Sequence, residues 1–245
     1  MQPRIQASPS HFELELETTL ARTSYFRVES DSDKDIIYRL RYDAYRRENA
    51  IVARDDLRFY DHYDRDPNTT IFGVNIDGML AGTLRLHVTS PEHPVGPAMD
   101  TYGDVLAPLV DAGESFIDPS RFVTNPVVRP GAKLLPFAVT RLACMAAEFY
   151  EADWMLASVR IEHAAFYRRF CSLKPLTEPR AYPGLTKPLM LLGERNQDIR
   201  DSVFTKYPVF SSTLGERLAL FAGAGNDAGS LPVNDNLQPK PVHVA

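Results

Sequence analysis

Residues 69–89 read TTIFGVNIDGMLAGTLRLHVT. Two apolar, β-branched runs flank the dipeptide Asp77-Gly78. That dipeptide between such runs is the strongest short-range hairpin signal, because a two-residue turn needs positive φ at its centre. An antiparallel hairpin this early excludes a purely parallel sheet. No glycine-rich dinucleotide fingerprint accompanies it, so a Rossmann pattern is excluded as well. In the second strand LRLHV alternates, and one of its faces must point inward. If Arg85 lies on the inward face, it requires a carboxylate partner.

Outward from the hairpin, the chain alternates between strand and helix. YFRVES (25–30) reads as a strand. Asp33 is placed to cap a helix through IIYRLRYDAYRREN, with Ile36, Ile37, Leu40, Ala44 and Tyr45 near helical spacing. After the hairpin the pattern predicts a helix over 98–112. A strand follows in FIDPSRFVTNPVV (116–128), interrupted near its start by Pro119. LLPFAVTRLACMAAEFYEA is a long apolar helix, DWMLASV a strand and EHAAFYRRF a short helix. LTEPRAY and KPLMLLGE read as a closing strand pair, and SSTLGERLALFAG as a last helix. The order is β-α-β-β-β-α-β-α-β. The fold class is therefore α/β (α+β): a mixed, mostly antiparallel twisted sheet flanked by helices. Residues 1–22 read as a flexible segment, 23–222 as one domain, and 223–245 as a flexible tail or an arm on a partner.

The 245 residues are 44% hydrophobic and 24% charged, which suits a globular chain with its own core. A net charge of -5 argues against general nucleic-acid binding. Cys144 and Cys171 match no metal spacing and read as buried free thiols of a reducing cytosol. No secretory signal is present, and no run reaches the roughly 18 apolar residues of a membrane span. The expected location is the cytoplasm.

Three segments are candidates for chemistry. VVRPGAK places Arg129, Gly131 and Lys133 where a strand meets a helix N-terminus, which suits phosphate; an ordinary turn explains it equally. AAFYRRF is a helix after a strand, and core burial of Phe166 and Phe170 accounts for it too. The third is a crowd of charge in RLRYDAYRREN and LRFYDHYD. Arg41 and Tyr45 share a helix face at i and i+4. Asp61 and Asp64 lie in the next connection, Arg85 in the hairpin, and Asp118 and Arg121 in the following strand. Singly these are surface charges of little worth. Together they read either as a solvated face or as an ordered electrostatic cluster that shapes a binding site.

Together these segments resemble the GCN5-related N-acetyltransferase (GNAT) superfamily. Within it they resemble the branch of autoinducer (acyl-homoserine-lactone) synthases and long-chain N-acyl amino acid synthases. The motifs are Arg41 with Tyr45, Asp61-His62-Tyr63-Asp64, Gly82-Thr83-Leu84-Arg85-Leu86, and Asp118-Pro119-Ser120-Arg121-Phe122. The resemblance covers roughly residues 25–195. Ile51 stands where autoinducer synthases carry tryptophan, and Asp118 where they usually carry glutamate. The N-acyl amino acid synthases are the nearer match.

The resemblance implies a GNAT-like acyltransferase domain. It would move an acyl group from an acyl carrier protein or CoA thioester to a small-molecule amine such as an amino acid. No cofactor would be permanently bound. The thioester would lie in the splay between the fourth and fifth strands, with backbone N–H groups of Phe122, Val123 and Thr124 as oxyanion donors. Asp118 would accept the amine proton, or else pair with Arg121 or Arg41. Arg41, Tyr45, Asp61, Asp64, Arg85, Ser120 and Arg121 would form the acceptor-side cluster. Arg129, Gly131, Ala132, Lys133 and Tyr167 would hold the phosphopantetheine thioester.

VRPGAKLLP matches the family's pyrophosphate run only in part, and Pro136 removes an amide donor, which favours a carrier-protein donor. Arg129, Lys133, Arg141, Arg168, Arg169 and Lys174 would then be its basic landing face. Met145, Phe149 and Phe166 would line an acyl tunnel, or simply pack the core. An acetyl-CoA-dependent acetyltransferase of a small amine and a non-catalytic acyl-binding module are the rival readings.

Overall fold

The computed structural model describes residues 10–128 and 133–222. Its centre is the hairpin of β2 (Thr69–Ile76) and β3 (Met79–Thr89). Asp77 and Gly78 both have positive φ, 53° and 75°, as a tight two-residue turn with right-twisted arms demands. β1 (Thr23–Arg27) pairs antiparallel with β2, and β4 (Phe116–Thr124) pairs antiparallel with β3. β5 (Trp154–Val159) runs parallel to β4, and β7 (Met190–Arg195) antiparallel to β5. The two-residue β6 (Lys174–Pro175) closes the order β1-β2-β3-β4-β5-β7-β6. The sheet is mixed and mostly antiparallel, as the sequence pattern implies.

Helices cover both faces. On one face α4 (Leu135–Phe149) and α5 (Ile161–Phe170) pack with α1 (His11–Ala21) and α7 (Leu214–Phe221) over Phe72, Leu84, Leu86, Ile117 and Leu192. On the other, α3 (Pro97–Asp111) lays Tyr102 and Leu106 on Phe116, Leu156 and Leu191. α2 (Asp31–Arg47) packs there too, with Ile37 against Val28 and Ile71. The alternation of β3 is thereby explained. Leu84 and Leu86 face α4, so Arg85 and His87 must face α2 and α3.

Two irregularities of β4 position the site. Its pairing with β5 covers only Phe116–Trp154 and Ile117–Met155, after which the strands part. Pro119 lies past that point, at an edge-like position where proline is tolerated, so the strand continues through it. Farther on, Arg85 pairs with Ser120 but Thr83 with Val123. Arg121 and Phe122 therefore oppose Leu84 alone, and Arg121 takes φ 54°. This is a β-bulge, which re-aims a side chain.

Three expectations are corrected. Residues 11–21 form a helix instead of a loose segment, closed by a capping box of Ser10 and Glu13 and anchored by fully buried Leu16. The cap of α2 is Ser30, whose hydroxyl accepts from the Asp33 N–H. LTEPRAY is not a strand; β6 and one isolated bridge, Arg180 to Leu189, replace the closing pair. Cys144 and Cys171 are buried free thiols. Among the described residues no helix is long and apolar enough to cross a membrane.

Candidate active site

The connection after α2 ends in a 3₁₀ turn, His62–Arg65. Asp61 caps it, accepting from the Tyr63 N–H, and Asp64 reaches back to accept from the Asp61 N–H at 3.1 Å. Both carboxylates keep oxygens for the arginines. Arg41 donates to Asp64 at 2.8 Å from the inner face of α2. Arg85 bridges Asp61 and Asp64 through Nη1 and gives its Nε–H to the Ser120 hydroxyl at 3.0 Å. Arg121, re-aimed by the bulge, takes the second oxygen of Asp61 and stacks its guanidinium 4.4 Å from the Phe59 ring centroid. Tyr45 packs against Phe59. Arg41 and Arg85 have no solvent exposure at all. The charges of LRFYDHYD thus hold a long connection against the sheet.

Burial by itself would raise the Asp61 carboxyl; Arg85 and Arg121 outweigh it and hold the group well below the usual carboxylate range. The Arg41 pKa is lowered too, but there the shift disfavours the charged form. Burial depresses its guanidinium despite Asp64.

Asp118 is the first residue of β4 beyond its last pair with β5. It does not pair with Arg121 or Arg41, which reach Asp61 and Asp64 instead. Its Oδ2 accepts from the Ala98 N–H at 3.1 Å, at the N-terminus of α3. Its Oδ1 is buried and has no hydrogen-bond partner among the described residues. The same holds for Arg41 Nε and Nη2, Arg85 Nη2, Arg121 Nε and Ser158 Oγ. Burial pushes Asp118 up to about 6, against the Ala98 N–H, Arg85 and Arg121, which pull it down. Sequence reasoning missed Ala98, though Pro97 is a recognisable first helical residue and marks the N-terminus that Asp118 meets.

Phe122, Val123 and Thr124 lie on the stretch of β4 that has left β5, so its outer edge has no strand partner. Lys133 is exposed at the start of α4. Arg129, Gly131 and Ala132 lie outside the described residues. Tyr167 is half-buried on α5 against Phe166. Burial, then Cys171 and Tyr45, raise its hydroxyl. The basic face is reduced. Arg141 is tied to Glu216 and to the Val209 and Ser211 carbonyls, and Lys174 pairs with Glu194. Arg168 and Arg169 are exposed.

Met145, Phe149 and Phe166 all pack in the core beneath α4 and α5. Met145 borders a cleft of about 440 Å³ between α1, α4 and α7. Phe149 packs edge-on to Tyr150 and tilted on Phe221, and Phe166 edge-on to Phe137 and stacked on Phe170.

Solved structures share this architecture. FeeM, an N-acyl amino acid synthase from uncultured soil microbes, superposes with a TM-score of 0.61 at 16% identity, covering 75% of this chain and 96% of its own. BjaI, a CoA-dependent acyl-homoserine lactone synthase, gives a TM-score of 0.54 at 17% identity over 76% of this chain and 89% of its own. The acyl-homoserine lactone synthase LasI gives 0.51 at 14% identity over 75% and 94%. At such identities the likeness establishes the fold. Among curated proteins none matches in sequence. The family model of the N-acyl amino acid synthase FeeM matches residues 36–194, from the first turns of α2 through the charged cluster and the parted strands to the end of β7. That stretch is well over half of the sequence, and the chain belongs to the FeeM N-acyl amino acid synthase family.

Proposed function

We propose that the protein moves a long acyl chain from a phosphopantetheine thioester to the amine of an amino acid, in the opening between β4 and β5. The observation that carries this reading is Asp118: buried, one oxygen held and the other unpartnered, at the point where the strands part. Aminolysis needs a neutral amine, donors for the developing oxyanion and an exit for the thiolate. Asp118 takes one proton from the incoming ammonium. The amine nitrogen then attacks the thioester carbon. Backbone N–H groups of Phe122–Thr124 on the open edge of β4 receive the oxyanion. The C–S bond breaks, the thiolate leaves, and the amide nitrogen gives up its second proton to balance it. The arginine cluster walls the acceptor side, where spare guanidinium N–H groups suit an acceptor carboxylate.

The donor we favour is an acyl carrier protein in the cytosol. Pro136 in the first turn of α4 withholds an amide that a pyrophosphate would use. Exposed Lys133, Arg168 and Arg169 suit an acidic carrier. Reversing Arg168 and Arg169 to glutamate is expected to raise KM for acyl carrier protein about tenfold or more through a slower encounter. KM for the matching acyl-CoA should change far less. Equal effects on both donors would argue against a carrier docking there.

Mass spectrometry of lipid extracts tests the function. Bacteria expressing the protein should accumulate new long-chain N-acyl amino acids, absent with empty vector and with Asp118→Asn. Short N-acetyl amines in their place would support an acetyl-CoA enzyme and refute the long-chain reading.

A further inference from the structure

Resting on the reading of Asp118 as proton acceptor, we infer that Tyr63 is a positioning residue: through Asp100 it holds the first turn of α3 so that the Ala98 N–H fixes one oxygen of Asp118 and leaves the other for the amine. The tyrosine lies between the two acids of DHYD, inside the 3₁₀ turn that the arginines pin. Its ring is buried, with the Arg85 guanidinium 5.7 Å from its centroid, His87 edge-on and His62 stacked beside it. Its hydroxyl donates to the Asp100 carboxylate in the first turn of α3.

α3 has no cap of its own. Gly96 stands at its N-cap and supplies no side-chain acceptor. A helix start without a side-chain cap relies on outside partners for its placement. Tyr63 supplies one from the loop side and Asp118 another from the sheet. The route runs from Arg41 and Arg85, through Asp61 and Asp64, to Tyr63, Asp100, Ala98 and Asp118. It explains why a tyrosine, rather than any apolar residue, sits between the paired acids. The other groups around Asp118 are Arg85 and the directly opposite His87 from β3, Arg121 from β4, Tyr102 from α3 and Tyr182 from the β6–β7 connection. None of them contacts Asp100 through the Tyr63 hydroxyl, so removing that hydroxyl isolates the placement of α3.

The test is Tyr63→Phe, which keeps the ring. The Asp118 carboxyl is followed by ¹³C NMR across pH, its signal assigned by loss in Asp118→Asn. Turnover is followed as thiol release from long-chain acyl carrier protein with a mixture of proteinogenic amino acids. With the Ala98 N–H loosened, the charged form of Asp118 loses a donor. Its midpoint and the acid limb of kcat/KM should both move up by about half a pH unit or more. kcat should fall about tenfold, with KM for the acyl donor unchanged. Asp100→Asn keeps an acceptor for the hydroxyl and should stay near wild type; Asp100→Ala should reproduce Tyr63→Phe and serves if that variant does not fold. A midpoint unmoved in both Tyr63→Phe and Asp100→Ala, even with turnover lost, would reduce Tyr63 to a structural residue and overturn the inference. An inactive Asp118→Asn beside a normal Tyr63→Phe sinks the role of Tyr63 alone. An Asp118→Asn variant at wild-type rate removes the base itself.

Discussion

Asp118→Asn is expected to cut acyl transfer by about 10²–10⁴-fold, the range for loss of a positioned proton acceptor, while the protein stays folded. Asparagine has nearly the same shape, and its amide oxygen can still accept from the Ala98 N–H. It cannot take a proton. The pH profile carries a second signature. Burial places the folded carboxyl at about 6. kcat/KM of the wild type should rise through that value and level off above it, and the variant should lack this limb. Stability moves the opposite way. A carboxyl whose folded pKa lies above its unfolded value favours folding fully below the unfolded value, near 4. That contribution is lost as pH rises to about 6 and stays lost above. The variant carries no such penalty and should melt higher than the wild type at neutral pH. Lower activity with higher stability is what a residue kept for chemistry shows. A variant with wild-type turnover would remove Asp118 from the mechanism.

The parts of the fold that follow from local chemistry were readable in advance. Asp77-Gly78 permits little but a tight turn, and the LRLHV alternation required carboxylate partners for Arg85 if its face turned inward; the turn is present, and Arg85 is buried on Asp61 and Asp64. Other features depended on context. The Ser10–Glu13 capping box was visible in SHFE, yet the polar surroundings concealed that Leu16 would be buried. Pro175, Pro179, Pro183 and Pro188 lie close together, and β6 there is only two residues long. At the site, the members of the charged cluster were legible but their pairing was not. A bulge of one residue in β4 swings Arg121 to Asp61, so Asp118 does not take Arg121 as its partner. Backbone groups left no trace in the residue types: the Ala98 N–H and the open edge of β4 appear only when the chain is folded.

Arg85→Ala should cost about 3–5 kcal/mol, because it removes the buried guanidinium that Asp61 and Asp64 share and leaves each carboxylate with a single arginine. For a domain of this size that is on the order of 10 °C or more in Tm. The expectation rests on burial. Arg85 is fully enclosed, and among the described residues it alone links Asp61, Asp64 and Ser120. The pair Arg22–Asp77 is the contrast: about 40% exposed on both sides, it should leave the melting temperature almost unmoved when Arg22 becomes alanine. Arg85→Lys should fall between, since an ammonium cannot span the carboxylates and the hydroxyl as a planar fork does. Acid unfolding separates lost charge pairing from lost packing. Asp61 is held below its unfolded range, so its contribution is present above that range and lost as pH falls through it. Without Arg85 that acid-side loss should shrink, because Arg121 alone remains on Asp61. A melting temperature within about 2 °C of wild type, with an unchanged acid arm, would mean that the DHYD loop is ordered by its own capping box and that the arginines are not what holds the acceptor wall.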